Sequence, residues 1–267
     1  MTRYSILAFD CDGTFLTDDG EVFESTKSAL GECSRRGIKI AFASGRAKEG
    51  IENVIDKIHA DNLIDYYVCH NGARIYDADG GRYLADRHLT MANAAELLGL
   101  ARDAGLGFYA FADGRILSMG DDMYANEEAG KNGVPVIPME GTDASTTIYK
   151  FVIPWDVGEL DRLQSSLPSG VRSRYGVVRS ADTNLEFLHP DASKGSGIRM
   201  LCDATGNAVS SVLPFGDAEN DLSMYNVTGN MVAMGNAQDC LKEVATFVTD
   251  DNNHDGIAKA IHELVLG

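Results

Sequence analysis

The sequence predicts an α/β protein: an open parallel sheet with helices on both faces, interrupted by a second domain built on an antiparallel sheet. Three observations predict it. Short apolar runs alternate with helix-spaced stretches at both ends of the chain. Those runs lack period-two polarity, as strands buried on both faces do. The middle of the chain carries instead a hairpin signal, Asp113-Gly114, between two strand-like runs.

Taken in order, residues 4–9 form an apolar run that ends in the polar DCDGT, a buried strand stopping at a loop. Residues 23–36 have helical spacing, and Gly37 supplies the stop. IKIAFA (38–43) is a second buried strand ending in the turn SGR, and 47–59 is a helix with Ile51, Val54, Ile55 and Ile58 on one face. YYVCH (66–70) is a third strand, followed by Asn71-Gly72. The last third repeats this grammar. A helix opens near Ser193, VLPF (212–215) runs into GDAEND, and a helix at 218–226, a strand MVAM (231–234), the turn GNA and a helix at 254–266 follow.

Between these ends, GFYAFADGRILSM (107–119) reads as two hairpin strands. TTIYKFVIP (146–154), VRSRYGVV (171–178) and LEFLH (185–189) read as further strands, with helices near 91–104 and 157–167. Hairpins plus two helices predict an antiparallel sheet with helices on one face. The expected organisation is a first domain of residues 1–82 and 190–267, with an α+β domain of residues 83–189 inserted into it. The crossings fall near 80–86 and 187–192.

The 267 residues allow one large or two modest domains. A hydrophobic share of 44% with 24% charged residues suits a globular chain and excludes disordered and fibrous classes. Net charge is −17, from 23 basic and 40 acidic side chains. No basic stretch is present that could neutralise a nucleic-acid backbone, and an acidic surface is repelled by anionic lipid. We therefore expect neither nucleic acid nor membrane as a partner. No apolar run approaches the length of a bilayer span, and MTRYSILAFD offers no signal peptide. Five cysteines without a CxxC pair fit reduced thiols and a cytoplasmic location. Six scattered histidines make no zinc pattern.

The motifs that carry chemistry sit where parallel strands end, the place where open α/β sheets bind ligands. In Asp10-Cys11-Asp12-Gly13-Thr14 an extended backbone directs Asp10 and Asp12 the same way. Two such carboxylates repel unless a cation or a shared proton relieves them. A solvated turn is the other reading, while a calcium loop lacks the rest of its pattern. Ser44-Gly45-Arg46 opens a helix and is either an N-cap or a seat for phosphate. Ser193-Lys194-Gly195 also opens a helix, where a lysine opposes the dipole unless an anion is near. Gly216-Asp217-Ala218-Glu219-Asn220-Asp221 gathers three acids and an amide past a buried strand, a composition that suits Mg2+.

Together, DxDGT, SGR, SKG and GDxxND in this order resemble the haloacid-dehalogenase-like superfamily. The tail MVAMGNAQDCLKEVATFVTDDNNHDGIAKAI is similar to its Cof-type phosphatase branch. The resemblance runs from residue 10 to 257, with Ser44 where many relatives have Thr and Cys11 at a variable position. It implies a Rossmann-like core with an inserted cap and a two-step phosphoryl transfer. Asp10 would be the nucleophile and Asp12 the general acid and base. Mg2+ would be held by Asp10, the main-chain carbonyl of Asp12 and Asp217, with Asp221 orienting its waters. Ser44, the Gly45 amide, Lys194 and Asn220 would grip the phosphate. The partner would be a small phosphate ester, expected to be a sugar phosphate, its leaving group read by the cap.

Four other readings compete. Dehalogenation needs no acid for an alkoxide, so Asp12 argues against it. A phosphomutase of the same superfamily keeps every residue named, and a sugar-phosphate-binding regulator would lose Asp10 or Asp12. A dinucleotide-binding enzyme lacks GxGxxG after the first strand. Arg172, Arg174 and Arg179 read as a solvated strand face or as anion contacts, and Asn71 as a substrate contact or a turn residue. Oligomeric state is not legible.

Overall fold

The computed structural model describes residues 3–60, 62–120 and 122–267. Among them the chain divides into two compact units. One comprises Met1–Ser44, Val54–Ala85 and Ser193–Gly267; the other comprises Gly45–Asn53 and Asp86–Ala192.

The first unit is built on an eight-stranded sheet in the order Phe247–Val248, Val232–Ala233, Val212–Gly216, Ile6–Phe9, Lys39–Ala43, Tyr66–Cys69, Arg74–Asp77 and Arg82–Asp86. The first six strands pair in parallel, as the unbroken apolar runs predict. Ile6–Phe9 is buried along its whole length, so both faces of the sheet are covered. Ile6 and Ala8 pack with Ile198 and Leu201 of the helix Lys194–Thr205 and with Met224. On the other face Phe9 meets Phe215 at 4.5 Å between ring centroids and Phe15 at 5.5 Å, and Phe15 meets Phe42 at 4.6 Å. This aromatic layer gives the loop after Phe9 a rigid floor.

The order of these strands positions the site. From Ile6–Phe9 the chain builds outward in one direction through Lys39–Ala43 and Tyr66–Cys69. The later strands build outward in the other direction, starting from Val212–Gly216. The topological switch therefore lies between Ile6–Phe9 and Val212–Gly216, which run in register with Phe9 opposite Phe215. A crevice opens at the carboxyl ends of such strands. DCDGT and GDAEND leave the sheet there, side by side.

The second unit contains a six-stranded sheet in the order Gly176–Ala181, Asn184–Leu188, Lys150–Pro154, Tyr109–Ala112, Arg115–Ser118, Val136–Pro138. Tyr109–Ala112 and Arg115–Ser118 form the predicted Asp-Gly hairpin, with Gly114 at φ +61°. The helices Met91–Asp103 and Val157–Ser166 cover one face: Leu97, Ala101, Leu160 and Leu163 pack on Ala110, Phe151 and Phe187.

Several elements depart from the sequence reading. Residues 171–174 are not strand; they belong to a helix, Ser169–Arg174, and the strand starts at Gly176. Pro168 opens that helix, and Val171 and Tyr175, four residues apart, are the buried pair; the alternation of arginines suggested a strand. Arg172 and Arg174 accordingly do not form a strand face. Arg172 bonds the Gln164 carbonyl, and Arg174 pairs with Glu96. Arg179 does lie on a strand, but bonds the Ala181 and Asp182 carbonyls and pairs with Asp161 at 3.4 Å. A helix at Met123–Asn132 escaped the reading, although Asp122 caps it (Oδ1 accepts from the Tyr124 amide at 2.9 Å) and Gly133 ends it in the left-handed region. The helix expected at 218–226 is a 3₁₀ turn, Glu219–Asp221, followed by Leu222–Thr228.

Residues Gly45–Asn53 group with the second unit for identifiable reasons. Ala47 joins an apolar cluster with Tyr109, Phe111 and Val152, and the Lys150 ammonium donates to the Gly45 carbonyl at 3.0 Å. Lys150 also pairs with Glu186 at 2.8 Å, and Ser180 donates to the same carboxylate. Both charges are almost fully buried (5% and 2% exposed). Replacing Lys150 with Met should therefore strand a buried carboxylate and cost about 3–5 kcal/mol. Thermal unfolding followed by circular dichroism should show a Tm lower by on the order of 10 °C. Adding Glu186→Leu should recover most of that loss; a single-variant loss under about 1 kcal/mol would place the pair in an exposed class.

Candidate active site

Asp10 follows the last residue of the central strand, and its amide still donates to the Phe215 carbonyl at 3.1 Å. The chain then turns sharply, with Phe15 and Leu16 amides returning to the Cys11 carbonyl at 3.1 and 2.9 Å. Gly13 makes the turn at φ +78°, and a side chain there would also press on the Asp217 carboxylate, 2.7 Å from the Cβ position. Two further residues brace the loop. The Asn236 side-chain amide donates to the Gly13 carbonyl at 2.8 Å, and that of Asn252 to the Leu16 carbonyl at 3.0 Å. Asn236 is the asparagine of the AMGNA segment.

Across the switch point, Asp217 follows Val212–Gly216. The Thr14 hydroxyl, buried, donates to its Oδ1 at 2.7 Å. Asp221 is fully buried and fully engaged: Oδ2 accepts from the amides of Asp217 and Ala218 at 3.0 and 3.1 Å, and Oδ1 from Lys194 at 2.7 Å. Lys194 opens its helix behind Ser193, whose hydroxyl accepts from the Ser196 amide. Its ammonium, 2% exposed, also donates to Asp10 Oδ1 at 2.6 Å. Gly195 allows this close seat, since a Cβ there would collide with the Ser223 carbonyl.

The structure thus joins four of the residues singled out from sequence. Asp10, Asp217 and Asp221 each offer an oxygen within 4.8 Å of the others, and Lys194 bridges two of them. Asp12 lies exposed on the loop, and its side chain is not among those three. Ser44, buried, and Gly45 continue from the neighbouring strand Lys39–Ala43. Asn220 sits on the Glu219–Asp221 turn with a buried side-chain oxygen that meets no hydrogen-bond partner among the described residues. Sequence reasoning gave no role to Thr14, Asn236 or Asn252, although all three stand inside quoted motifs.

Burial governs the electrostatics. It pushes the Asp10 carboxyl up to about 8; Lys194 opposes the shift, while Asp221 and Asp217 add to it. Asp217 is raised as well, by burial first, with the Thr14 hydroxyl working the other way. Burial also disfavours the Lys194 charge, yet Asp10 and Asp221 outweigh it and hold the ammonium protonated. Three carboxyl groups crowd one ammonium so closely that Asp10 holds its proton up to about pH 8, a crowding that a bound cation would relieve. The donors are hard oxygens, the type Mg2+ selects. The residues present fit a bound Mg2+.

Comparison with known proteins follows this geometry. The family model described as haloacid dehalogenase-like hydrolase matches residues 7–261. YxeH of Bacillus subtilis (strain 168), whose name marks it as a phosphatase candidate, is 32% identical, with 98% of this chain and 99% of that protein covered. The 5-amino-6-(5-phospho-D-ribitylamino)uracil phosphatase YcsE of the same organism is 26% identical over 98% of this chain and 96% of its own length. Among solved structures, a haloacid dehalogenase-like hydrolase from Bacteroides thetaiotaomicron superposes with a TM-score of 0.85 at 27% identity, covering 97% of this chain and 99% of that one. The chain belongs to the haloacid dehalogenase-like hydrolase family, in its Cof-type phosphatase branch.

Proposed function

We propose that this phosphatase is a Mg2+-dependent phosphomonoester hydrolase that acts on a small phosphorylated metabolite, a sugar or polyol phosphate, through an aspartyl-phosphate. The observation that carries the reading is the Asp10 carboxylate, held by Lys194 beside two further carboxylates at the switch point. A carboxylate so placed can act as a nucleophile. Its oxygen forms the bond to phosphorus while the bond to the ester oxygen breaks. Asp12, exposed on the loop before Gly13, delivers a proton to the departing alkoxide. It then accepts a proton from the water that cleaves the acyl-phosphate bond and regenerates Asp10.

Asp10, the Asp12 carbonyl and Asp217 would hold Mg2+, which when bound neutralises phosphoryl charge and steadies the reacting oxygens. Asp221, occupied by Lys194 and two amides, sets the direction of Asp217 and of the ammonium. The hydroxyl of Ser44, the Gly45 amide, Lys194 and Asn220 take the phosphate oxygens, whose charge spreads in the transition state. The inserted domain reads the leaving group, and the ribityl phosphate ester named for YcsE supports a substrate of that size. A cytoplasmic location is supported by five free cysteines. Among the described residues, no helix is long and apolar enough to cross a membrane.

The test is phosphate release from an aryl phosphate and a panel of sugar and polyol phosphates, with Mg2+ and with EDTA. Release that needs Mg2+ and ranks the panel supports the reading. No release from any ester by a folded, Mg2+-binding protein overturns it in favour of a mutase or a binding role.

A further inference from the structure

Immediately after the strand Tyr66–Cys69, three consecutive residues adopt the left-handed backbone conformation: His70 at φ +49°, Asn71 at φ +53° and Gly72 at φ +90°. Two of them carry side chains, and both are buried, at 4% and 3% exposure. Residues with a Cβ seldom adopt this conformation, and runs of it occur where surrounding structure imposes it. What the run touches explains the imposition. The Asn71 amide donates to the Ser44 carbonyl at 2.9 Å, and the Ser44 amide donates to the Val68 carbonyl at 2.9 Å. Ser44 is thus held on both sides of its peptide by this strand and its turn. One residue further, Gly72 lies flush against the first turn of the helix that carries Lys194. A Cβ on Gly72 would collide with the Ser193 carbonyl, and one on Gly197 would lie 2.8 Å from the Gly72 Cα.

We infer that residues 70–72 form a backbone brace that sets the spacing between Ser44 and Lys194, with Asn71 a positioning residue acting through its left-handed conformation. The brace rests on the proposal that Ser44 and Lys194 grip the phosphate. Left-handed geometry turns the Asn71 amide back toward Ser44 and, in the same turn, presents the bare face of Gly72 to Ser193. An extended or right-handed residue at 71 cannot do both. Two phosphate contacts 150 residues apart in sequence are in this way gauged by one turn, and small misplacements of such contacts are costly to rate.

The experiment replaces Asn71 with Gly, Asp, Ala and Val. Each variant is measured for steady-state phosphate release, for inhibition by inorganic phosphate and for thermal unfolding. The ranking should follow tolerance of the left-handed region and not side-chain chemistry. N71G should stay within about threefold of wild type, and N71D should keep more activity than N71A or N71V where it folds, its buried charge lowering Tm. N71A and N71V should lose about 10- to 100-fold in kcat/KM, with the phosphate inhibition constant rising in parallel and Tm falling by only a few degrees. Should N71A or N71V fail to fold, N71G still decides. An N71G variant that folds but loses about 10-fold or more in kcat/KM assigns the role to the Asn71 side chain and overturns the brace. Unchanged phosphate inhibition in every folded variant overturns it too. If wild type itself neither hydrolyses esters nor binds phosphate, the reading of Ser44 and Lys194 falls, and the brace with it.

Discussion

Replacing Asp10 with Asn is expected to leave a folded protein whose phosphate release is lower by roughly 10³-fold or more, because the carboxylate proposed as nucleophile becomes a far less nucleophilic carboxamide. The same substitution should change the pH dependence of stability in metal-free protein. The Asp10 carboxyl is raised from 3.8 to about 8 by burial beside Asp221 and Asp217. The folded state therefore holds this proton more tightly than the unfolded state does. Its contribution is fully present below pH 4 and is lost as pH rises from 4 through 8. Asn at this position does not titrate. Wild type and Asp10→Asn should unfold with a constant offset at the acid end, and the variant should gain on the wild type by about 2–5 kcal/mol by pH 8. Denaturant unfolding in EDTA at several pH values checks this; parallel stability curves would refute the buried, proton-holding Asp10. Mg2+ should stabilise the wild type and do much less for the variant.

Replacing Lys194 with Ala is expected to be the more destructive change. The ammonium is the counter-charge for Asp10 and Asp221 at 2.6 and 2.7 Å, and its removal leaves buried carboxylates facing one another. Breaking a buried pair in this way costs about 3–5 kcal/mol, a Tm lower by on the order of 10 °C. The loss should shrink as pH falls toward 4, where protonation removes the repulsion, and millimolar Mg2+ should restore part of it. Activity should fall by about 10²- to 10³-fold even under conditions where the variant is folded, since the cation proposed to grip the phosphate is missing. A variant as stable as wild type at pH 8 in EDTA would mean that Lys194 does not carry this charge balance.

Much of this site was legible in the sequence. Asp10 after one buried strand and the acidic cluster after another announce themselves by residue type and spacing, because burying such groups without a use is costly. Other parts were not legible. Thr14 reads as a turn residue until Asp217, 203 positions away, is found to accept its hydroxyl at 2.7 Å. Asn236 and Asn252 look like loop asparagines, yet they hold the carbonyls of Gly13 and Leu16. Lys194 at a helix start is ordinary surface chemistry until two carboxylates from opposite ends of the chain meet it. In the second unit, Arg172 and Arg174 alternate as in a strand, while the burial of Val171 and Tyr175 makes their segment a helix.

Local chemistry alone dictated the alternation of strand and helix, the turns at Gly13 and Gly114, and the residue types available for phosphoryl transfer. Those depend on period, backbone freedom and charge within a few residues. The tertiary structure alone decided which carboxylates lie together, that Lys194 is buried between two of them, and that Ser44 is held by a left-handed turn. The physical reason is the parallel sheet. Its switch point places Phe9 beside Phe215 in register, so the loops that follow them converge although some 200 residues separate them. No local preference encodes that adjacency; only the packing of the complete sheet does.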